Sequence, residues 1–385
     1  VSILCSSNKR VYQISRNTGT NVGTVSDKIM REDLGNIFSH TNHLWEGARE
    51  KKFFISGGTG FFGKWLLESL IYINHQLNLG IQVTVLTRNI SKFKETVPHL
   101  YGHEFISFIE GDVRSFNFPQ EKFDFVIHAA TETTSPISIS DSLEIFDVCV
   151  NGTKHVLELA VKCETKKFLL ISSGAVYGTQ PMNMEYIEES YSGGPDLMNQ
   201  KGCYGEGKRV SELLSNLYSN RYGFENKIAR CFAFVGPYLP LNAHFAIGNF
   251  IHDALNGGPL IIKGDGNSCR SYLYTSDLVV WLWTILFIGA TNRPYNVGSP
   301  SALRISEIAS KVSTLSGKKI EIKLLRENKY LLATNRYIPS VERAQRELGL
   351  NQSVEMDNAI LRTLDWYRDI RWNSRETKKQ YSIGN

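Results

Sequence analysis

This 385-residue chain has no dense charge of one sign, no closely paired cysteines and no long apolar run. Its 43 lysines and arginines against 38 aspartates and glutamates leave a net charge of only +5, too thin a spread for the basic patch that nucleic-acid binding requires. Only Arg371, Arg375, Lys378 and Lys379 gather closely, and they read as a solvated tail. The six cysteines, at 5, 149, 163, 203, 231 and 269, form no C-x-x-C pair and no metal-ligand spacing. They are expected to be buried thiols of a reducing compartment, with no metal site. The longest apolar run, residues 278–290, falls short of the ~20 residues of a spanning helix, and no charged-then-apolar leader pattern is visible. A soluble, cytoplasmic protein without membrane or nucleic-acid partners is expected.

What is present is an ordinary globular balance, 42% hydrophobic and 21% charged residues, arranged in a regular alternation. Short apolar segments at 53–56, 83–87, 105–110, 123–129, 168–172 and 228–235 read as strands. Helical periodicity fills 64–79, 142–163 and 204–222 between them. Strands alternating with helices imply an α/β protein with a Rossmann-like, doubly wound parallel sheet. After Gly236 and Pro237 the alternation stops, and a smaller C-terminal substrate-binding domain is expected. The boundaries drawn are 1–48 for an N-terminal extension with a short helix within 33–48, 49–235 for the Rossmann domain, and 236–385 for the substrate domain, with segments returning to the first.

Three local patterns carry chemistry. Gly57-Gly58-Thr59-Gly60-Phe61-Phe62-Gly63 stands where the first strand hands over to a helix, so backbone N–H groups and the helix N-terminus can meet a pyrophosphate. Tyr204 and Lys208, four residues apart on one helix, share a face. An ammonium beside a phenol favours phenolate and brings the phenol towards use as a general acid and base. Ser173, at the end of the fifth strand, lies where ligands of open α/β sheets bind.

Together with Gly111-Asp112-Val113, His128-Ala129-Ala130 and Arg270-Ser271-Tyr272-Leu273-Tyr274-Thr275-Ser276-Asp277, these patterns make residues 50–350 resemble the extended short-chain dehydrogenase/reductases, specifically the nucleotide-sugar epimerase/dehydratase group. The resemblance implies that Tyr204 is the catalytic acid/base, that Lys208 holds the nicotinamide ribose and tunes Tyr204, and that Ser173 bonds the reacting sugar oxygen. It places Gly57, Gly60, Phe61, Phe62 and Gly63 at the cofactor diphosphate, Asp112 and Val113 beside the adenine, and Ala129 and Ala130 along the cofactor cleft. Arg270 is implied as a contact to the substrate diphosphate, with its planar fork of donors suited to that task. Asn151 matches a helical Asn behind the active site, in a structural or a functional role. A homodimer through the helices near 142–163 and 204–222 is likewise implied.

The departures narrow the reaction. Sugar 4,6-dehydratases of this group carry Thr-Asp-Glu, and the related decarboxylases Thr-Ser-Glu, where this chain has Ser173-Gly174-Ala175, and neither Gly174 nor Ala175 transfers a proton. Tyr204-Gly205-Glu206-Gly207-Lys208-Arg209 nevertheless looks like the decarboxylases' Y-D-E-G-K-R. Ala233 replaces an Asn near the substrate phosphates, with Asn249 as a substitute contact. At the end of the second strand Arg88 stands where an acidic residue would bind the ribose of NAD, which favours NADP over NAD. The expectation is reduction or epimerisation at C4 of a nucleotide-diphosphate sugar. The alternatives are dehydration or decarboxylation with Glu132 or Glu206 as the missing acid/base, and a non-catalytic nucleotide-binding scaffold, which has no need of a Ser/Tyr/Lys set.

Overall fold

A computed structural model of the chain describes residues 23–131, 139–243, 245–325 and 335–382; side chains at 139–140 and 371–382 are outside the description. Cys5 and Glu132 therefore lie outside the described residues. Seven strands form one parallel sheet: β1 (Lys52–Ser56), β2 (Gln82–Thr87), β3 (Ile106–Glu110), β4 (Phe125–His128), β5 (Lys167–Ser173), β6 (Glu225–Cys231) and β7 (Arg293–Val297), in the order β7-β6-β5-β4-β1-β2-β3. The chain runs outward from β1 to β3 and returns to β4 on the other side of β1, so the strand order reverses there. The carboxyl ends of β1 and β4 part at that reversal, which is where open α/β sheets bind ligands.

The central strands are buried along almost their whole length and mostly apolar, as suits a parallel sheet covered on both faces. Phe53 stacks on Phe125 at 4.6 Å on one face, and Phe54 packs on Phe116 and Phe123 on the other. All but the last two residues of the apolar run at 278–290 fall in a helix, Thr275–Ile288, buried on nearly every side between the sheet and the N-terminal helix Val25–Thr41. There Trp283 meets Trp45 at 5.0 Å and Phe53 at 6.2 Å. A helix apolar all round belongs in such a core, and among the described residues no helix is long and apolar enough to cross a membrane.

Several expectations are corrected. The N-terminal helix starts at Val25, not 33, because Thr24 and Asp27 close a capping box over its first turn. The helix expected over 142–163 runs unbroken from Ile139 to Lys162, with a π-helical widening at Val148–Gly152 where the Gly152 backbone packs on Val113. The strand expected over 228–235 ends at Cys231; Phe234–Val235 leaves the sheet and pairs with Leu273–Tyr274. The backbone that carries the basic residues beyond 370 continues the helix Met356–Ser382.

Beyond β6 a second apolar cluster unites the helices Ala246–Leu255, Ile305–Leu315 and Met356–Ser382 with the paired strands Leu260–Ile262 and Ile322–Leu324. A three-stranded ribbon sets Cys269–Arg270 between Leu303–Arg304 and Arg336–Tyr337. These elements face the carboxyl ends of the sheet strands across one large cavity.

Candidate active site

That cavity has a volume of about 1650 Å³. At one end lies the glycine turn. Gly57 takes φ +75°, and a Cβ there would stand 2.6 Å from the Ala129 carbonyl carbon and the Ala130 nitrogen. A Cβ on Gly63 would stand 2.3 Å from the Gly58 backbone. Only glycine permits this turn and this packing of the helix Phe61–Leu77 under it. Gly60 is the N-cap of that helix and carries no side-chain cap, so the first-turn N–H groups open towards the cavity. The turn is thus a fitting cradle for a diphosphate.

Arg88 stands exposed on the wall at the end of β2, with Lys64 and Lys92 on the same wall. Burial, then Lys92, push the Lys64 ammonium below its ordinary pKa. Asp112 also lines the cavity, with its carboxylate clasped by Arg114 at 2.8 and 2.7 Å and held at a pKa of about 2 chiefly by that bond. Val113, Ala129, Ala130, Phe61 and Phe62 complete this end.

Ser173 and Tyr204 meet at the middle of the same cavity. Ser173 closes β5, and its hydroxyl accepts the Ala175 N–H at 3.1 Å. Tyr204 opens the helix Cys203–Tyr222, half-buried, with its phenol held above the ordinary value by burial and eased by the nearby Ser173 and Thr131 hydroxyls. The side chain of Lys208 is fully enclosed and off the cavity wall; its ammonium donates to the Ile171 carbonyl at 2.9 Å and lies 5.9 Å from the Tyr204 ring centroid. The expected lowering of the Tyr204 pKa by Lys208 is corrected: in the chain by itself burial outweighs a cation at that distance, and the phenol keeps its proton.

Arg270 and Asn249 line the far end. The Arg270 guanidinium is braced by the Cys269 and Asn335 carbonyls at 2.8 and 3.1 Å. Asn249, with its amide nitrogen turned to the Leu241 and Ala243 carbonyls at 3.2 and 2.9 Å, ties down a loop, which leaves only its oxygen for a ligand. Asn151 is exposed, bonds Asp147 and belongs to a surface depression with Arg114 and His155, not to the active cavity. Glu206 pairs with Arg209 at 3.5 Å, off the cavity wall, so it does not replace the missing acid.

Two residues on the wall escaped sequence reasoning. The buried Thr131 hydroxyl lies beside Tyr204 and Cys149 without a hydrogen bond of full geometry. Tyr337 comes from the ribbon and lines the cavity near Ser173. Nothing in the sequence places Tyr337 there, since only the ribbon pairing sets it beside Arg270.

The model of the "NAD dependent epimerase/dehydratase family" matches residues 53–298. A UDP-glucuronic acid decarboxylase of Arabidopsis thaliana is 30% identical over 319 residues, covering 81% of this chain and 89% of the relative. One of Xenopus tropicalis is 29% identical over 318 residues, covering 83% and 72%. Among solved structures, an epimerase of Methanothermobacter thermautotrophicus superposes with a TM-score of 0.74 at 24% identity over 88% of this chain and 98% of that one, a likeness of fold.

Proposed function

The chain belongs to the NAD-dependent epimerase/dehydratase family, and from that premise we propose that it binds NADP and moves hydride at C4 of a nucleotide-linked sugar, as a 4-ketoreductase or 4-epimerase. The observation that carries this reading is the meeting of Ser173 and Tyr204 in one cavity with the glycine turn, beside a Gly174-Ala175 segment without a carboxyl group.

The residues divide the work by position. The glycine turn and the N-terminus of Phe61–Leu77 receive the cofactor diphosphate, and Arg88 the 2′-phosphate in place of the acidic residue that would bind the ribose of NAD. Bound there, the nicotinamide supplies or takes up the hydride. Ser173 orients the C4 oxygen. Tyr204, protonated at neutral pH, hands its proton to that oxygen as a ketone is reduced, and takes it back in the oxidising direction. Lys208, buried against the Ile171 carbonyl, fixes the start of the Tyr204 helix to β5. Arg270 holds the diphosphate of the sugar nucleotide.

Dehydration needs an acid and a base at C6 and C5 besides the Tyr204 step, and positions 174 and 175 supply neither. Decarboxylation is a second reading, favoured by the relatives near 30% identity. A 4-keto uronic acid is a β-keto acid, and its loss of carbon dioxide asks only for a proton at C5. Product identification with UDP-glucuronate separates the two: the 4-epimer supports the first reading, and a pentose the second.

The helices Ile139–Asp147 and Cys203–Tyr222 expose Leu143, Phe146, Leu213 and Leu217. Such an apolar face supports a homodimer through this pair, tested by sedimentation of the wild type against Leu213→Lys.

A further inference from the structure

Tyr337 and Gly174 occupy one space. A Cβ on Gly174 would stand 2.6 Å from the Tyr337 hydroxyl oxygen and 2.7 Å from Cζ of Phe232. The Tyr337 ring has little room to retreat, because it packs on Phe232 with centroids 4.6 Å apart. Its strand is held on both sides, by the Cys269 N–H to the Asn335 carbonyl at 2.8 Å and by the Ile338 N–H to Gln180 Oε1 at 3.0 Å. The missing side chain at 174 and the phenol at 337 are therefore one arrangement: the phenol fills the place from which an acidic residue would address the sugar.

Tyr337 also shares the site's polar centre. It lines the cavity with Ser173 and Tyr204, and pairs in register with Arg270. The Ser173 hydroxyl lies close enough to both phenols to ease the pKa of each. We propose that Tyr337 is a second substrate-contacting phenol, which donates a hydrogen bond to a sugar oxygen next to the carbon served by Tyr204. Burial raises its pKa, with Ser173 easing the rise, so the group keeps its proton and acts as a donor. The inference rests on the nucleotide-sugar reading above and adds a contact on which that reading does not depend.

The test is calorimetric binding of UDP-glucose, UDP-glucuronate and dTDP-glucose, and of UDP and dTDP alone, to wild type and Tyr337→Phe, each saturated with NADP. The substitution keeps the ring on Phe232 and removes only the hydroxyl. A neutral hydrogen bond lost in this way weakens binding of the accepted sugar nucleotide about three- to tenfold, with the free nucleotide bound as before. Equal sugar-nucleotide affinities for the two proteins overturn the inference and leave the broader reading intact. An equal loss for the free nucleotide marks a structural role and also overturns it. A wild type that binds UDP or dTDP but none of the sugars brings down the nucleotide-sugar reading and the inference with it.

Discussion

The ammonium of Lys208 lies 5.9 Å from the centroid of the Tyr204 ring and gives its hydrogen bond to the Ile171 carbonyl, not to the phenol. The two residues therefore fail differently when replaced. Tyr204→Phe lowers turnover about 10²–10⁴-fold, the usual contribution of a general acid/base, and leaves NADP affinity and melting temperature close to wild type. Lys208→Ala lowers turnover too, but also costs about 1–3 kcal/mol of stability, because a buried carbonyl loses its donor. Steady-state rates beside thermal melts check both, and a near-normal rate in Tyr204→Phe would sink the mechanism.

Arg88 is predicted to read the cofactor's 2′-phosphate. Arg88→Ala should weaken NADPH about 10- to 100-fold and NADH hardly at all, since only the former loses a charge-assisted contact. Fluorescence titration with each cofactor decides it, and equal losses would show that Arg88 merely borders the adenine.

Gly57 meets backbone, not a movable side chain: its Cβ would press on the Ala129–Ala130 peptide from a left-handed φ of +75°. Gly57→Ala is therefore expected to lose at least about 1 kcal/mol of stability and most of its cofactor binding. A variant that binds NADPH like wild type would mean that the turn yields more readily than its packing suggests.

Asp33 anchors the N-terminal helix by accepting from the Tyr274 hydroxyl at 2.7 Å and from Arg362 at 2.8 Å, and burial raises its pKa from 3.8 to about 7. A carboxyl whose folded pKa exceeds its unfolded one contributes most below the unfolded value and loses that contribution as pH rises through the folded one. The Tm of wild type minus that of Asp33→Asn should thus fall by on the order of a few degrees from about pH 5 to about pH 8. A flat difference would contradict the burial of a titrating carboxyl.

Much of this arrangement was legible in the residues themselves. The apolar strand segments, apart from the end of the sixth, and the glycine turn follow from period, length and turn chemistry, while the roles of Ser173 and Tyr204 came with the family resemblance. β7 was not, because Arg293-Pro294-Tyr295-Asn296-Val297 lacks an apolar run and carries a proline, which only an edge strand tolerates. Tyr337 was hidden for a different reason: its place depends on two-residue ribbon pairings, which leave no periodic trace. The partner of Lys208 was hidden because helical spacing sets which face a side chain occupies, not which carbonyl lies beneath it. Of the open alternatives, Asn151 proves to lie in a surface depression outside the active cavity and Glu206 off its wall, since helical spacing does not say which groove a side chain enters.

The central claim is C4 hydride chemistry on a nucleotide sugar without loss of water. The most direct measurement is NMR identification of products after the purified protein is incubated separately with UDP-, dTDP-, CDP- and GDP-linked hexoses, with UDP-glucuronate, and with 4-keto-6-deoxy sugar nucleotides, each with NADP, NADPH, NAD or NADH. The account predicts a C4 epimer from one of the hexoses or from the uronate, or a 4-hydroxy product from a 4-keto sugar with NADPH consumed one for one, and in either case loss of product in Tyr204→Phe. A 4-keto-6-deoxy sugar formed from a simple nucleotide-hexose would contradict it, since that reaction demands an acid and a base that Gly174 and Ala175 do not provide.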